Sequence, residues 1–121
     1  MSAKRLIWGV ALPLAIAAST GVFGKERAED NYRTYCTQCH GSQGNGKGIN
    51  VRDMSVQPRD HTDTKAMSAR SDQDITKVIK EGGIAINKSV LMPPWEDVFS
   101  DEEIADLVAY LRQLCKCSYG Q

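Results

Sequence analysis

The chain contains no internal repeat, no low-complexity segment and no shift in composition that would mark a second domain, and at 121 residues it has the length of one domain. It has no excess of charge of either sign: 15 Lys+Arg balance 15 Asp+Glu, so nothing marks a nucleic-acid-binding face. Its four cysteines fall into two unlike pairs, Cys36 and Cys39 spaced C-x-x-C and Cys115 and Cys117 spaced C-x-C. There is therefore no second C-x-x-C to complete an ordinary zinc knuckle. Nor is there a βαβ pattern around the first pair, which a thioredoxin-like redox motif would need. Gly41, Gly46 and Lys47 imitate a phosphate loop, but Gly48 stands where a magnesium-binding Ser or Thr is required and no strand precedes the run. The glycines read instead as a flexible turn passing close to the edge of a cofactor.

What is present is Cys36-Thr37-Gln38-Cys39-His40. Two thiols separated by two residues can each add across one vinyl group of a haem, and the histidine that follows is placed to bind the iron. The motif calls for one covalent haem c, with thioethers at Cys36 and Cys39 and His40 as the proximal iron ligand.

Residues 1–24 have the build of a secretory signal. Lys4 and Arg5 form the charged start, Leu6 to Ala18 the apolar run, and small residues follow. Cleavage after Gly24 is one acceptable site and a bond near Ser19 or Thr20 another. The competing reading is a retained membrane anchor, since Leu6 to Phe23 spans 18 apolar or weakly polar residues, although Gly9, Pro13, Ser19 and Thr20 weaken that span. Either way residues 25–121 are expected to form a single domain outside the cytoplasm. Without Lys4 and Arg5 the balance is 13 basic against 15 acidic side chains, and so small a domain has a marginal core unless a buried haem adds to it.

From Glu26 to about Cys39 a helix is expected, with Ala28, Tyr32 and Tyr35 to one side. Ile49 to Arg70 lacks periodicity and carries Pro58, so it reads as a loop with at most one short turn. Within it His61, flanked by polar residues, is expected at the surface, and Met54 and Met67 as packing. Ser71 and Asp74 form a capping box for a helix over about Asp72–Glu81, closed by Gly82-Gly83. Ser100 and Glu103 form a second box, followed by Ile104, Leu107, Val108, Leu111 and Leu114 at the spacing of an amphipathic helix. Between the two lies Met92-Pro93-Pro94-Trp95. Two prolines fix the backbone beside a methionine, a loop that can hold a thioether in place; on these residues alone Met92 as iron ligand and Met92 as ordinary core stand level.

The haem motif late in a first helix, the M-P-P-W loop and the closing S-D-E-E-I-A-D-L-V-A-Y-L-R helix together resemble small bacterial class I cytochromes c, over about Asn31 to Leu114. The resemblance implies an all-α, cytochrome c-like fold of three main helices and loops around one covalent haem. It implies that Met92 is the distal iron ligand, that the first and last helices cross with Ala28 and Tyr32 facing Leu107, Tyr110 and Leu111, and that Trp95 and Arg59 reach a propionate. It further implies that the Pro58 carbonyl accepts from the His40 ring N–H. The Cys115-Lys116-Cys117 tail is additional to this pattern. These two thiols can pair with each other across a tight ring, pair between chains or stay reduced.

Iron held by His40 and Met92 has no open position, which suits single-electron transfer between respiratory redox proteins and not catalysis on a bound substrate. The alternatives are a membrane-anchored subunit of a larger redox complex, a haem sensor or peroxidase-like protein with a displaceable sixth ligand, and bis-histidine ligation through His61. Glu96, Asp97, Asp101, Glu102, Glu103 and Asp106, with no Lys or Arg between Lys88 and Arg112, form an acidic window expected to steer a cationic redox partner in transient docking.

Overall fold

The structure, a computed structural model, describes residues 20–121, with side chains from Gly24 onward. The export signal or anchor expected over residues 1–24 lies almost wholly outside the described residues. Among these there are helices α1 (Thr20–Tyr35), α2 (Thr37–His40), α3 (Thr64–Ser68), α4 (Asp72–Glu81) and α5 (Asp101–Cys115), two 3-10 turns over Ile49–Val51 and Gly83–Ile86, and no strand. The fold is all-α, as the sequence leads one to expect.

The first expected helix is divided. α1 stops at Tyr35 and the haem motif begins a separate turn, α2. The Thr37 hydroxyl donates to the Arg33 carbonyl at 2.8 Å, an i−4 side-chain contact of the kind that bends helices. Backbone bonds from Cys36 N–H to the Tyr32 carbonyl and from His40 N–H to the Cys36 carbonyl, both 2.9 Å, carry the chain across the bend.

α1 packs across α5. Ala28 and Tyr32 are buried on one side, Ile104, Leu107, Val108 and Leu111 on the other, and the Tyr32 and Tyr110 rings lie 5.3 Å apart between centroids. Burying each of the larger aliphatic side chains contributes roughly 1.5–3 kcal/mol, which makes this crossing the centre of the core. Both capping boxes are formed. Ser71 accepts from the Asp74 N–H and Ser100 from the Glu103 N–H, and each acidic side chain accepts in return from the cap residue's N–H.

α3 supplies more order than the expected loop. Its cap is Asp63, whose carboxylate accepts from the Ala66 N–H at 2.9 Å; the third helical position holds Ala66, so no Glu or Gln signals the start. The C-terminal tail is fastened to this helix. A disulfide joins Cys115 to Cys117, the first of the three possibilities open to these thiols. The Thr64 hydroxyl donates to the Cys115 carbonyl at 2.7 Å, Gly120 N–H donates to the Ser68 carbonyl at 2.8 Å, and Arg112 donates to the Met67 and Arg70 carbonyls and to Asp72.

The acidic window is only partly free. Lys80 pairs with Asp101 at 2.7 Å, and Arg27 with Asp106 and Glu102. Arg27 comes from α1, far away in sequence, so its counter-charge is invisible in the window itself. Glu96 and Asp97 are left exposed beside Trp95.

Candidate functional site

Between α2, α4, α5 and the loops that join them lies a cleft of about 580 Å³, within the range of roughly 300–1,000 Å³ that cofactor sites occupy. Cys36, Cys39 and His40 line it, and so do Met92, Pro93 and Trp95; Ile75, Ile79, Leu107 and Leu111 make it apolar. Cys36 and Cys39 are both free thiols. Burial, with a smaller contribution from Cys39, pushes the Cys36 thiol up to about 12. A redox-active C-x-x-C needs the opposite shift at its attacking thiol, so the raised Cys36 thiol runs against that role.

His40 follows the second cysteine on the single turn of α2. Its Nδ1–H donates to the Arg59 carbonyl at 3.0 Å, which fixes the tautomer and leaves the Nε2 lone pair for a metal. Burial lowers the His40 pKa, against an opposing contribution from that hydrogen bond, so the ring stays neutral, the form that ligates. The acceptor is not the Pro58 carbonyl, contrary to expectation. Pro58 turns its carbonyl toward Gly46, where an added Cβ would come within 2.9 Å of it, and the next carbonyl along the chain faces the ring. Pro58 and Arg59 do both line the cleft.

The glycine run behind the motif is packed and not slack. Gly46 N–H donates to the His40 carbonyl at 2.8 Å and Gly48 N–H to the Cys39 carbonyl at 3.0 Å. A Cβ on Gly48 would lie 2.2 Å from the Gln38 carbonyl oxygen. These glycines are small so that the loop can lie against the back of the motif.

Met92 is half-buried in a loop laid over the end of α4. Gly83 N–H donates to the Met92 carbonyl at 2.9 Å, and Trp95 N–H donates to the Ile79 carbonyl at 3.0 Å. Gly82 has φ +80°, and a Cβ there would come within 2.7 Å of the Met92 carbonyl oxygen; one on Gly83 would come within 2.2 Å of the Ser89 carbonyl oxygen. The paired glycines are thus the seat of the methionine loop as well as a helix stop. Only the second role is legible in the pattern, because the first depends on residues brought close by the fold.

Met54 and Met67 also line the cleft, Met67 buried in the core and Met54 half-buried. His61 is where the expectation fails most. It is 9% exposed, its Nδ1 lies 2.9 Å from the Tyr32 hydroxyl, and its ring is stacked on His40 at 4.2 Å between centroids and 17° between planes. Two imidazoles in that contact leave no room for a porphyrin between them, so His61 is not the axial partner of His40. Trp95 forms an aromatic group with Tyr35 and Phe99 beside the cleft.

The residues fit a haem: an apolar slot, two free thiols at the attachment spacing, and a neutral imidazole with its inner nitrogen unengaged. The profile of the family described as Cytochrome C oxidase, cbb3-type, subunit III matches residues 25–111. Solved structures agree. The chain is similar to a chain of the Kuenenia stuttgartiensis reducing HAO-like protein complex, with 30% identity, 74% of this chain and 41% of that chain covered, and a TM-score of 0.58. It therefore spans less than half the length of that protein. The KustC0563 c-type cytochrome matches at 26% identity over 72% of this chain and 95% of its own, TM-score 0.57. Cytochrome CL from Methylophaga aminisulfidivorans, at 20% identity over 82% of this chain and 60% of its own, TM-score 0.58, shares the fold. No curated protein matches the sequence. Since the family match runs from α1 through the cleft into α5, the chain belongs to the cytochrome C oxidase, cbb3-type, subunit III family, as a small class I cytochrome c whose cofactor is one covalent haem c with its iron.

Proposed function

We propose that the protein is a monohaem electron carrier, exported from the cytoplasm, in which Cys36 and Cys39 carry the haem through thioethers, His40 is the proximal iron ligand and Met92 the distal one. The observation that carries this reading is the His40 ring, whose Nδ1–H is engaged by the Arg59 carbonyl while the ring faces a cleft shared with both thiols and Met92. When bound, the haem supplies a one-electron couple, and thioether ligation raises its potential. The chain's own residues attach, orient and dehydrate. His40 offers a neutral nitrogen in a fixed tautomer, the loop over Gly82 and Gly83 holds the Met92 sulfur, and Ile75, Ile79, Leu107 and Leu111 keep water from the ring. Trp95 and the Arg59 side chain serve propionates at the rim, and Pro58 packs beside the proximal ligand. With His40 and Met92 both holding the iron, no position would remain for a substrate, and the protein would act as a carrier and not as an enzyme. Its partners are a redox donor and a redox acceptor met transiently.

The test is the weak red absorption band of sulfur-to-ferric-iron ligation. The wild type is expected to show it. Met92→Ala is expected to lose it, to lower the reduction potential and to let the reduced protein bind carbon monoxide, with the fold retained. Loss of the band in Met54→Ala or Met67→Ala instead would reassign the ligand.

A second reading, a subunit held in a larger redox assembly at the membrane, is favoured by the family's own description and by the similarity to a chain of a complex. Among the described residues no helix is long and apolar enough to cross a membrane, so a helical anchor would lie outside them. Washing membranes with salt and then carbonate separates the readings: a free carrier leaves in the wash and an anchored one stays.

A further inference from the structure

We propose that His61 is a positioning residue for the proximal ligand: its ring, held by Tyr32, sets the plane of the His40 imidazole. The inference rests on His40 ligating the iron, as proposed above. The hydrogen bond from His40 Nδ1–H to the Arg59 carbonyl fixes where that nitrogen points, but it leaves the ring free to turn about the N–H···O axis. The second restraint needed is a flat surface against the ring face, and His61 provides one at 4.2 Å and 17°.

His61 is itself held from three sides. Its backbone N–H donates to the Gly44 carbonyl at 2.7 Å. Its Nδ1 lies 2.9 Å from the hydroxyl of Tyr32, a side chain 2% exposed in the α1–α5 crossing. A buried phenol proton with no other acceptor among the described residues goes to that nitrogen, so Tyr32 donates. Gly44, at φ +74°, closes the third side: a Cβ there would lie 3.3 Å from the Tyr32 hydroxyl and 3.6 Å from the His61 Cβ. The turn leading into the ring is pinned as well, since the Asp60 carboxylate accepts from the Thr62 N–H and hydroxyl.

A space-filling residue would need none of this. Burying an imidazole costs free energy unless its polar atoms are satisfied, and a leucine would occupy the hole without a partner. What a leucine lacks is a flat face. Partners of a ligand's outer nitrogen tune a metal site through that ligand's orientation; here the ligand's face has a partner too, and the chain of contact runs from the helix crossing through Tyr32 and His61 to His40. The imidazole plane decides which iron d orbital its π system meets. A plane that cannot swing when the iron changes oxidation state keeps the reorganisation accompanying each electron small.

The experiment uses the full-length, haem-loaded ferric protein and reads the order of the four paramagnetically shifted haem methyl resonances, the g values and the reduction potential. His61→Leu fills the space without a flat face and is expected to reorder or broaden the methyl resonances, narrow the spread of g values and shift the potential. His61→Phe restores the flat face and is expected to return the wild-type methyl order. Tyr32→Phe, which keeps both rings and removes the tether, is expected to broaden the methyl lines with the haem still attached. Wild-type methyl order and g values in His61→Leu would overturn the proposal. Should that variant not accumulate as a haem protein, unchanged methyl lines in Tyr32→Phe would overturn it. The ligation itself is checked apart from this by labelling histidine with nitrogen-15: no coupling of a labelled ring nitrogen to the wild-type iron would overturn the proposed function, whatever the His61 variants do.

Discussion

Residues 36–61 and residues 83–95 line the same cleft, yet the first segment is fixed mostly through side chains and the second mostly through backbone. On the first side Thr37, His40, Asn45, Gln57, Asp60 and His61 all make side-chain hydrogen bonds. On the second, Lys88 N–H donates to the Gly83 carbonyl, Gly83 N–H to the Met92 carbonyl and Trp95 N–H to the Ile79 carbonyl. There, among the described residues, Ser89 alone contributes a side-chain bond, accepting from the Leu91 N–H. Its apolar side chains Ile84, Val90 and Leu91 are 64%, 70% and 58% exposed. The proximal wall is therefore specified residue by residue, whereas the methionine loop is specified by its path. Substitutions of exposed side chains should be tolerated on the loop; anything that moves its backbone should not.

The largest effects should come from adding one methyl group to each side. In Gly48→Ala the new Cβ would meet the Gln38 carbonyl oxygen and the Cys39 backbone, and in Gly83→Ala it would meet the Ser89 carbonyl oxygen, in both cases at 2.2 Å to the nearest atom. Neither neighbour is the end of a flexible side chain, so backbone must shift, at a cost of about 1–3 kcal/mol. Stability should fall by similar amounts in thermal melts, but the spectra should differ. Gly83→Ala is expected to lose the red sulfur band with haem still attached. Gly48→Ala is expected to keep the band in whatever fraction matures and to lower the yield of attached haem, since it disturbs the turn that presents the thiols. A shared spectral phenotype would show that the two walls are not independent.

The features legible in the sequence are those contained in a few consecutive residues. The attachment motif is five residues long, and each capping box is four, so α4 and α5 begin where their boxes say. His61 looks like a surface residue from its neighbours because its burial depends on Tyr32, 29 positions away, and a histidine flanked by Asp60 and Thr62 carries no local sign of that. The Pro58 assignment missed by one residue for a different reason. A carbonyl acceptor has no side-chain identity, so the pattern can name the turn but not which peptide faces the ring. The acidic window looked free because the guanidinium of Arg27 comes from another helix.

A smaller effect is expected where neither wall is involved. Cys115 and Cys117 do not line the cleft, and their disulfide closes a ring of very few residues, for which chain-entropy arguments give about 1–2 kcal/mol. Reduction with dithiothreitol should lower the melting temperature by a few degrees and leave the haem spectrum unchanged. A spectral change on reduction would mean that the tail is coupled to the proximal wall through α3.

Charge separates the two sides more weakly. Glu96 and Asp97 continue the loop side and have no basic partner within salt-bridge distance among the described residues, while Asp101, Glu102 and Asp106 are paired. Oxidation by a cationic partner should slow with rising salt, because screening shortens the reach of surface charge to about 8–10 Å at ordinary ionic strength. The slope should be shallow, and Lys80→Ala, which frees Asp101, should steepen it. Stopped-flow rates across a salt series would show this, and an unchanged slope in the variant would mean that the loop side does not meet the partner.

The smallest effect expected is on acid stability, and it concerns the helix starts that hold α4 and α5 in place on either side of the loop. The Asp74 carboxyl sits below its ordinary value chiefly because the Ser71 hydroxyl and then its N–H hydrogen-bond it, and the Glu103 carboxyl chiefly because of the Ser100 N–H and then its hydroxyl. A carboxylate whose folded pKa is depressed binds its proton more readily in the unfolded chain. Its stabilising contribution is therefore present above the ordinary carboxylate values of 3.8 and 4.5 and is lost as pH falls through the folded pKa. Both groups are solvent-exposed, so each contribution is small, and the haem's covalent links should keep the proximal wall together after the caps weaken. Between pH 5 and pH 3 the red sulfur band is expected to fade before the histidine ligand is lost. Asp74→Asn and Glu103→Gln, which remove the titrating group, should flatten the stability curve over that interval. If the variants follow the wild-type curve instead, the acid transition belongs to other carboxylates, with Asp60, held down by Thr62, the first to replace next.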